Sequence, residues 1–242
     1  MKMAANDIKR VSLELGGKSP NVVFADADVD KAAAASPMSV FDNTGQDCCA
    51  RSRILVEEGV ADRFVQGFVE ATKKLKVGDP KKDETELGPL VHQKQLETTE
   101  RYVEAARKKG RTILCGGKRI GGKGFFYEPT LIVGCEKDDS WWQEEIFGPV
   151  VSLRKFRTEE EAVEEANDSI YGLSGSIWTQ NLDRALRVSL AVESGNLSVN
   201  CHSSVFTQAS FGGMKQSGIG RELGQAGLEG FSEPKNVFIA KS

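Results

Sequence analysis

Short β-type runs alternate with helical periodicity along the whole 242-residue chain, and this alternation constrains its fold more than any other feature. Strands separated by helices run parallel in one sheet and carry those helices on its faces. The expected fold class is therefore α/β, a mostly parallel open sheet with flanking helices. A chain of this length can bury one sizeable core, or one large and one small domain.

Residues 11–15 read as a short strand that runs into Gly16-Gly17, where the absent side chains permit a sharp turn. Residues 22–24 form the next strand. Helical spacing starts near Val29, but Pro37 would cost a helix interior a backbone bond. Ser36-Pro37 is therefore read as the N-cap and first position of a second helix that ends near Thr44. Residues 54–56 form a strand, and Phe64, Val65, Phe68, Val69 and Leu75 supply the stripe of an amphipathic helix. A further helix over residues 93–109 ends in a basic turn followed by Gly110. Residues 150–153 form a strand, after which Thr158 and Glu161 have the spacing of a capping box. Strands near 175–178 and 197–199 flank a helix that starts at about Asn181. The last apolar run, residues 237–240, is a strand candidate with nothing after it to cover its edge.

Lysine and arginine total 32 against 35 acidic residues, dispersed without a basic stripe, so nucleic acid is not an expected partner. No apolar run approaches the roughly 20 residues of a membrane helix. The first ten residues lack the apolar centre of a signal peptide, and the expected address is cytoplasmic. Five cysteines without a C-x-x-C pair point to neither a disulfide framework nor a zinc site, and no metal is expected. His92 and His202 stand far apart with no ligand partners at metal spacing.

Cys48 lies at the exit of a predicted helix into a glycine-bearing loop, where a side chain can face a cleft. A thiolate there is a strong nucleophile. A lone cysteine in an α/β protein is more often a small buried hydrophobe, so its company decides. LELGGKSPN at 13–21, GQDC at 45–48, EEIFGPV at 144–150, NDSIYGLSGSI at 167–177, FGGMKQSGIGRELG at 211–224 and SEPKNVFI at 232–239 follow one another along the chain. In order and separation, these six motifs resemble the aldehyde dehydrogenase superfamily over essentially the whole sequence.

The resemblance implies an enzyme that oxidises an aldehyde to a carboxylic acid with NAD or NADP. It makes Cys48, two places after the glutamine of G-Q-x-C, the nucleophile and Glu14 of LELGG the general base. In such a mechanism the thiolate adds to the carbonyl, the resulting thiohemiacetal gives hydride to the nicotinamide, and the thioester so formed is hydrolysed by a deprotonated water. A backbone N–H at the cysteine would stabilise the oxyanion. Glu222 in GRELG matches a second acidic residue tied to water activation or proton relay. Glu145 and Phe147 match the pair that binds the nicotinamide ribose and lies against the coenzyme, with Leu15 and Gly16 beside them. Asp47 and Cys49 flank the nucleophile and are expected to shape the substrate tunnel. Asn200 and Phe211 resemble tunnel positions, although Phe211 also reads as plain core packing. Without the resemblance, Glu14 reads as a solvated carboxylate at a strand end.

Two departures from the family pattern stand out. Trp141-Trp142-Gln143 replaces less bulky residues before EEIFGP, and Ser210 stands where proline usually precedes FGG. The implied division assigns residues 1–16 to the last strand of a cofactor domain that otherwise lies outside this sequence. Residues 17–216 form the catalytic domain, 217–231 a helix returning to the cofactor domain, and 232–242 an oligomerisation strand. A small aldehyde and further copies of the chain are the expected partners, and the coenzyme site within this sequence is expected to be incomplete. Three other readings stand beside this one: a coenzyme-independent thiol esterase, a non-catalytic fragment or assembly subunit, and a piece of a longer polypeptide.

Overall fold

A computed structural model describes residues 1–203 and 205–241. Its helices in chain order are α1 Lys2–Asn6, α2 Val29–Phe41, α3 Ala61–Lys74, α4 Gln93–Lys108, α5 Ser140–Gln143, α6 Glu159–Asn167, α7 Leu182–Ala191 and α8 Gly224–Glu229. The strands are β1 Leu13–Glu14, β2 Pro20–Val23, β3 Arg53–Glu57, β4 Thr112–Cys115, β5 Thr130–Val133 and β6 Val150–Phe156. They continue with β7 Tyr171–Gly172, β8 Ser174–Trp178, β9 Asn196–Val199, β10 Met214–Lys215 and β11 Gly218–Ile219.

Seven strands form one sheet in the order β4-β5-β6-β3-β2-β8-β9, parallel throughout except for the antiparallel pair β4 and β5. Central strands buried on both faces read as continuous apolar runs, which is why the short run at Val22-Val23-Phe24 holds the middle of the sheet. Alternate residues serve opposite layers. Val22, Leu55, Ile132 and Ile177 meet α4, α6 and α7 on one side, whereas Val23, Ile54, Leu131 and Trp178 meet α2 and α3 on the other. The result is three layers, α/β/α, as the alternation of elements predicts.

Pro37 marks a correction. One helix, α2, runs straight through it where two were expected. Asp28 caps this helix by accepting the Lys31 N–H at 3.1 Å, and the Ser36 hydroxyl turns back to the Ala32 carbonyl at 2.6 Å. Val29, Ala32, Ala33, Val40 and Phe41 bury a continuous face, with the Phe41 ring 6.0 Å from that of Phe68 in α3. That burial offsets an interior proline, which costs ~3 kcal/mol. The helix stops at Phe41 rather than near Thr44, because Asn43 and Thr44 turn left-handed at φ 50 and 60°.

The amphipathic stripe of α3 and the capping of α6 by Thr158 follow expectation, with the Glu161 N–H 3.2 Å from the Thr158 hydroxyl. His92 finds a task in N-capping α4, its Nδ1 accepting the Gln95 N–H at 3.0 Å. Trp141 and Trp142 are core residues, and the guanidinium groups of Arg53 and Arg154 lie 5.4 and 5.5 Å from the Trp142 ring. The β4–β5 pair was not anticipated, since its short runs are broken by glycine turns.

The chain ends need two further corrections. Residues 217–231 are not one helix: β11 pairs antiparallel with β1, Leu13 opposite Ile219, and only Gly224–Glu229 is helical. The expected strand at 11–15 shrinks accordingly to Leu13–Glu14. Residues 237–240 form no strand, and Val237, Phe238 and Ile239 stand exposed. A strand is made by pairing, and among the described residues nothing pairs with this segment; Ser242 lies outside them. Among the described residues, no helix is long and apolar enough to cross a membrane.

Candidate active site

Four loops meet at one edge of the sheet. Gly17 precedes β2, Cys48 precedes β3, Glu145 and Phe147 precede β6, and Leu173 precedes β8. All four therefore sit at the amino ends of parallel strands. Open α/β sheets usually bind ligands at the opposite, carboxyl ends. The motif residues gather instead at the amino ends.

The loops touch because small residues let them. A Cβ on Gly17 would overlap the Cys48 carbonyl oxygen, and one on Gly45 would overlap the carbonyl of Gly148. The Cys48 loop is further pinned by Arg51, a buried guanidinium that donates to the Cys49 carbonyl at 2.7 Å and the Ser176 hydroxyl at 3.0 Å. Its neighbour Arg53 donates to the carbonyls of Lys18, Glu165 and Ala166 at 2.9, 2.9 and 2.7 Å, tying the loop before β2 to the end of α6.

Cys48 is half-buried and packs with Cys49, Leu173, Phe211 and Leu223. The Cys49 thiol donates to the Cys48 sulfur and holds the Cys48 thiol below its ordinary value of 9.0, against burial and the charges of Asp47 and Glu14. Cys49 itself is pushed up by the same hydrogen bond and by burial. Asp47 is exposed, its Oδ1 accepting the Cys49 N–H at 3.0 Å. Glu14 lies within electrostatic reach of Cys48. Burial pushes the Glu14 carboxyl above its ordinary 4.5, and the Glu222 charge adds to this, while a backbone hydrogen bond from Gly213 and the charge of Arg221 oppose it. A base tuned upward is better matched to neutral pH.

Glu222 is exposed on a segment whose backbone exchanges two hydrogen bonds with Phe211, both 2.7 Å. Glu145 accepts the Gly17 N–H at 2.9 Å through Oε1, and burial pushes its carboxyl up. Phe147 adopts φ 56° with its ring partly exposed, and Gln95 holds that turn by donating to the carbonyls of Ile146 and Phe147 at 2.7 and 2.8 Å. Glu145 and Phe147 line one narrow crevice with Gly17 and Asp47. Leu15 is exposed and bound through its N–H to the Ser217 carbonyl at 3.0 Å, and the Gly16 carbonyl accepts from Ser217 Oγ at 2.7 Å.

One residue does not join this group. Asn200, expected near the tunnel, spends its side chain on Thr179, accepting its N–H at 3.1 Å and donating to its carbonyl at 2.9 Å. Cys201 lies just after β9 and is exposed. Sequence reasoning also missed Lys18. It is fully buried, its Nζ has no hydrogen-bond partner, and burial with Arg53 nearby pushes it down to about 7, against the pull of Glu145. The signal was a lysine inside a run of small and apolar residues.

A semi-exposed thiol of lowered pKa with a carboxylate of raised pKa in electrostatic reach is equipment suited to covalent thiol catalysis. The aldehyde dehydrogenase family model matches residues 1–237, and the chain belongs to that family. It is 46% identical to an aldehyde dehydrogenase of Emericella nidulans over 234 residues, 97% of this chain and 47% of the relative. A betaine aldehyde dehydrogenase of Bacillus subtilis is 43% identical over 242 residues, covering 98% of this chain and 49% of the relative. Among solved structures, betaine aldehyde dehydrogenase of Staphylococcus aureus in complex with NAD+ superposes with a TM-score of 0.90 at 43% identity, over 95% of this chain and 46% of that one. An NAD-dependent aldehyde dehydrogenase of Sinorhizobium meliloti gives 0.93 at 41% identity, over 96% and 46%. The chain thus spans about half the length of the relatives it matches.

Proposed function

We propose that this chain carries the nucleophile and base of an enzyme that oxidises an aldehyde to a carboxylic acid with NAD+ or NADP+. The observation that carries the reading is Glu14, at the end of β1, within electrostatic reach of Cys48 and three residues before Gly17, which abuts the Cys48 backbone. Cys48, helped by the Cys49 thiol, attacks the carbonyl carbon, and a thiohemiacetal forms on its sulfur. The coenzyme, when bound, supplies the hydride acceptor. Glu14 then takes a proton from the water that hydrolyses the thioester, with Glu222 receiving the proton toward solvent.

Residues at the crevice fit the nicotinamide end of the coenzyme. Glu145 uses Oε1 on Gly17 and has Oε2 for a ribose hydroxyl, while the exposed ring of Phe147 offers an apolar face. Phe211, Cys49 and Asp47 shape the entry to Cys48. We assign residues 17–216 to the catalytic domain, residues 1–16 and 217–231 to its contact with a cofactor domain, and residues 232–242, which carry the exposed Val237, Phe238 and Ile239, to association between copies.

The test is trapping. With an aldehyde and coenzyme, the complete Glu14→Gln protein should accumulate an acyl group on Cys48, seen by peptide mass mapping, while Cys48→Ala should carry none. An acyl group on another residue, or none with Glu14→Gln, would overturn the proposal.

A further inference from the structure

The carboxylate of Asp47 and the thiols of Cys48 and Cys49 converge, their three ligand atoms all within 4.8 Å of one another. Successive side chains in an extended segment point apart. Here a tight turn, closed by the Ala50 N–H on the Asp47 carbonyl at 3.1 Å and by the Cys49 N–H on Asp47 Oδ1 at 3.0 Å, brings both sulfurs to one side. The geometry points to Asp47, Cys48 and Cys49 as a binding site for a thiophilic divalent cation of the zinc and cadmium class. Two thiolates with one carboxylate form a donor set that selects such ions over magnesium or calcium. Access is graded to suit entry from solvent: Asp47 is exposed, Cys48 half-buried and Cys49 buried. A fourth position on the open side takes water.

Binding forms two metal–sulfur bonds and one metal–oxygen bond. Both thiol protons leave to solvent, and no atom changes oxidation state. With its sulfur so engaged, Cys48 gives up electron density to the cation and is a far weaker nucleophile toward a carbonyl, and the cation is a reversible inhibitor. That consequence rests on the proposed role of Cys48; the cation site does not.

The experiment titrates Cd2+ alone into the reduced, full chain and follows the ultraviolet charge-transfer absorption of cadmium thiolate, with a chromophoric chelator in competition. One ion per chain is expected. Cys48→Ser and Cys49→Ser should each weaken binding by about 100-fold, at the upper end of what losing even a supporting partner costs. Asp47→Asn should weaken it less, and Cys201→Ser should leave it unchanged. Unaltered affinity in Cys49→Ser, or binding lost in Cys201→Ser, overturns the site. Circular dichroism checks each fold; should Cys49→Ser fail to fold, unaltered affinity in the exposed variant Asp47→Asn overturns the site on its own. Cadmium bound as expected without slowing ester acylation of Cys48 would contradict the role given to that residue and leave the site standing.

Discussion

Gly17 lies directly against the Cys48 backbone, so closely that a Cβ at position 17 would occupy the space of the Cys48 carbonyl oxygen. The turn that follows Glu14 and the loop that carries Cys48 are thus one assembly, joined where a side chain is absent. Gly17→Ala must push them apart. We expect it to slow alkylation and acylation of Cys48 by on the order of 100-fold, while the overpacking costs about 1–3 kcal/mol of stability. Iodoacetamide kinetics beside a urea melt separates the two effects, and an unchanged alkylation rate would show that the contact does not position the thiol.

Cys49 donates to the Cys48 sulfur and thereby lowers the thiol pKa of Cys48. In Cys49→Ala the pH profile of Cys48 alkylation should move to higher pH, while Cys49→Ser, which keeps a donor, should move it less. Because Cys201 is exposed, these rates are best read in a Cys201→Ser background. Coincident profiles for the alanine variant and the parent would remove Cys49 from this role.

Burial holds Lys18 down to about 7. The unfolded chain, with a lysine near its ordinary pKa of about 10.4, then binds more protons than the folded one between those two values. Stability from this group therefore rises as pH climbs from about 7, and its penalty is greatest below. Lys18→Met should stabilise the fold most under pH 7 and progressively less toward pH 10, by chemical denaturation across about that range. A gain independent of pH would mean that Lys18 binds protons equally in the folded and unfolded chain, so that burial does not lower its pKa.

The raised carboxyl of Glu14 carries a different sign. The base must be ionised to accept a proton, so deacylation should rise with pH through a limb lying above the ordinary 4.5. Hydrolysis of a preformed acyl-enzyme, followed by rapid quench, would show it. That limb should vanish in Glu14→Gln, and its persistence would point to another base.

Val237, Phe238 and Ile239 are exposed apolar residues in sequence. Deleting 236–242 should lower the oligomeric mass measured by light scattering, since an unpaired apolar edge associates readily. A chain that is monomeric before and after the deletion would end that reading.

The sequence disclosed the layers of this fold because alternation of apolar runs with helical periods leaves little choice of architecture. It misjudged α2, because the rule against Pro37 weighs a local bond and is blind to the apolar face that α2 buries on α3. It lengthened the segment after Ser217 into a helix because the short β1–β11 pairing joins residues about two hundred positions apart, beyond any local pattern. Cys48, Glu14, Glu145 and Phe147 were legible only through likeness of motif, since nothing in their spacing shows that four loops meet at the amino edge of the sheet. Asn200 shows a different limit: its motif position says nothing of where its side chain bonds, which is to Thr179.

The most direct test of the pairing of Cys48 with Glu14 needs no coenzyme. With p-nitrophenyl acetate, Cys48 attacks the ester carbonyl, p-nitrophenolate leaves, and the thioester waits on water activated by Glu14. Peptide mass mapping after a brief reaction should find the acetyl group on Cys48, at low occupancy in the parent chain and near full occupancy in Glu14→Gln. Acetyl on Cys201 or Cys49 in its place, or equal occupancy of Cys48 in the two proteins, would contradict the assignment.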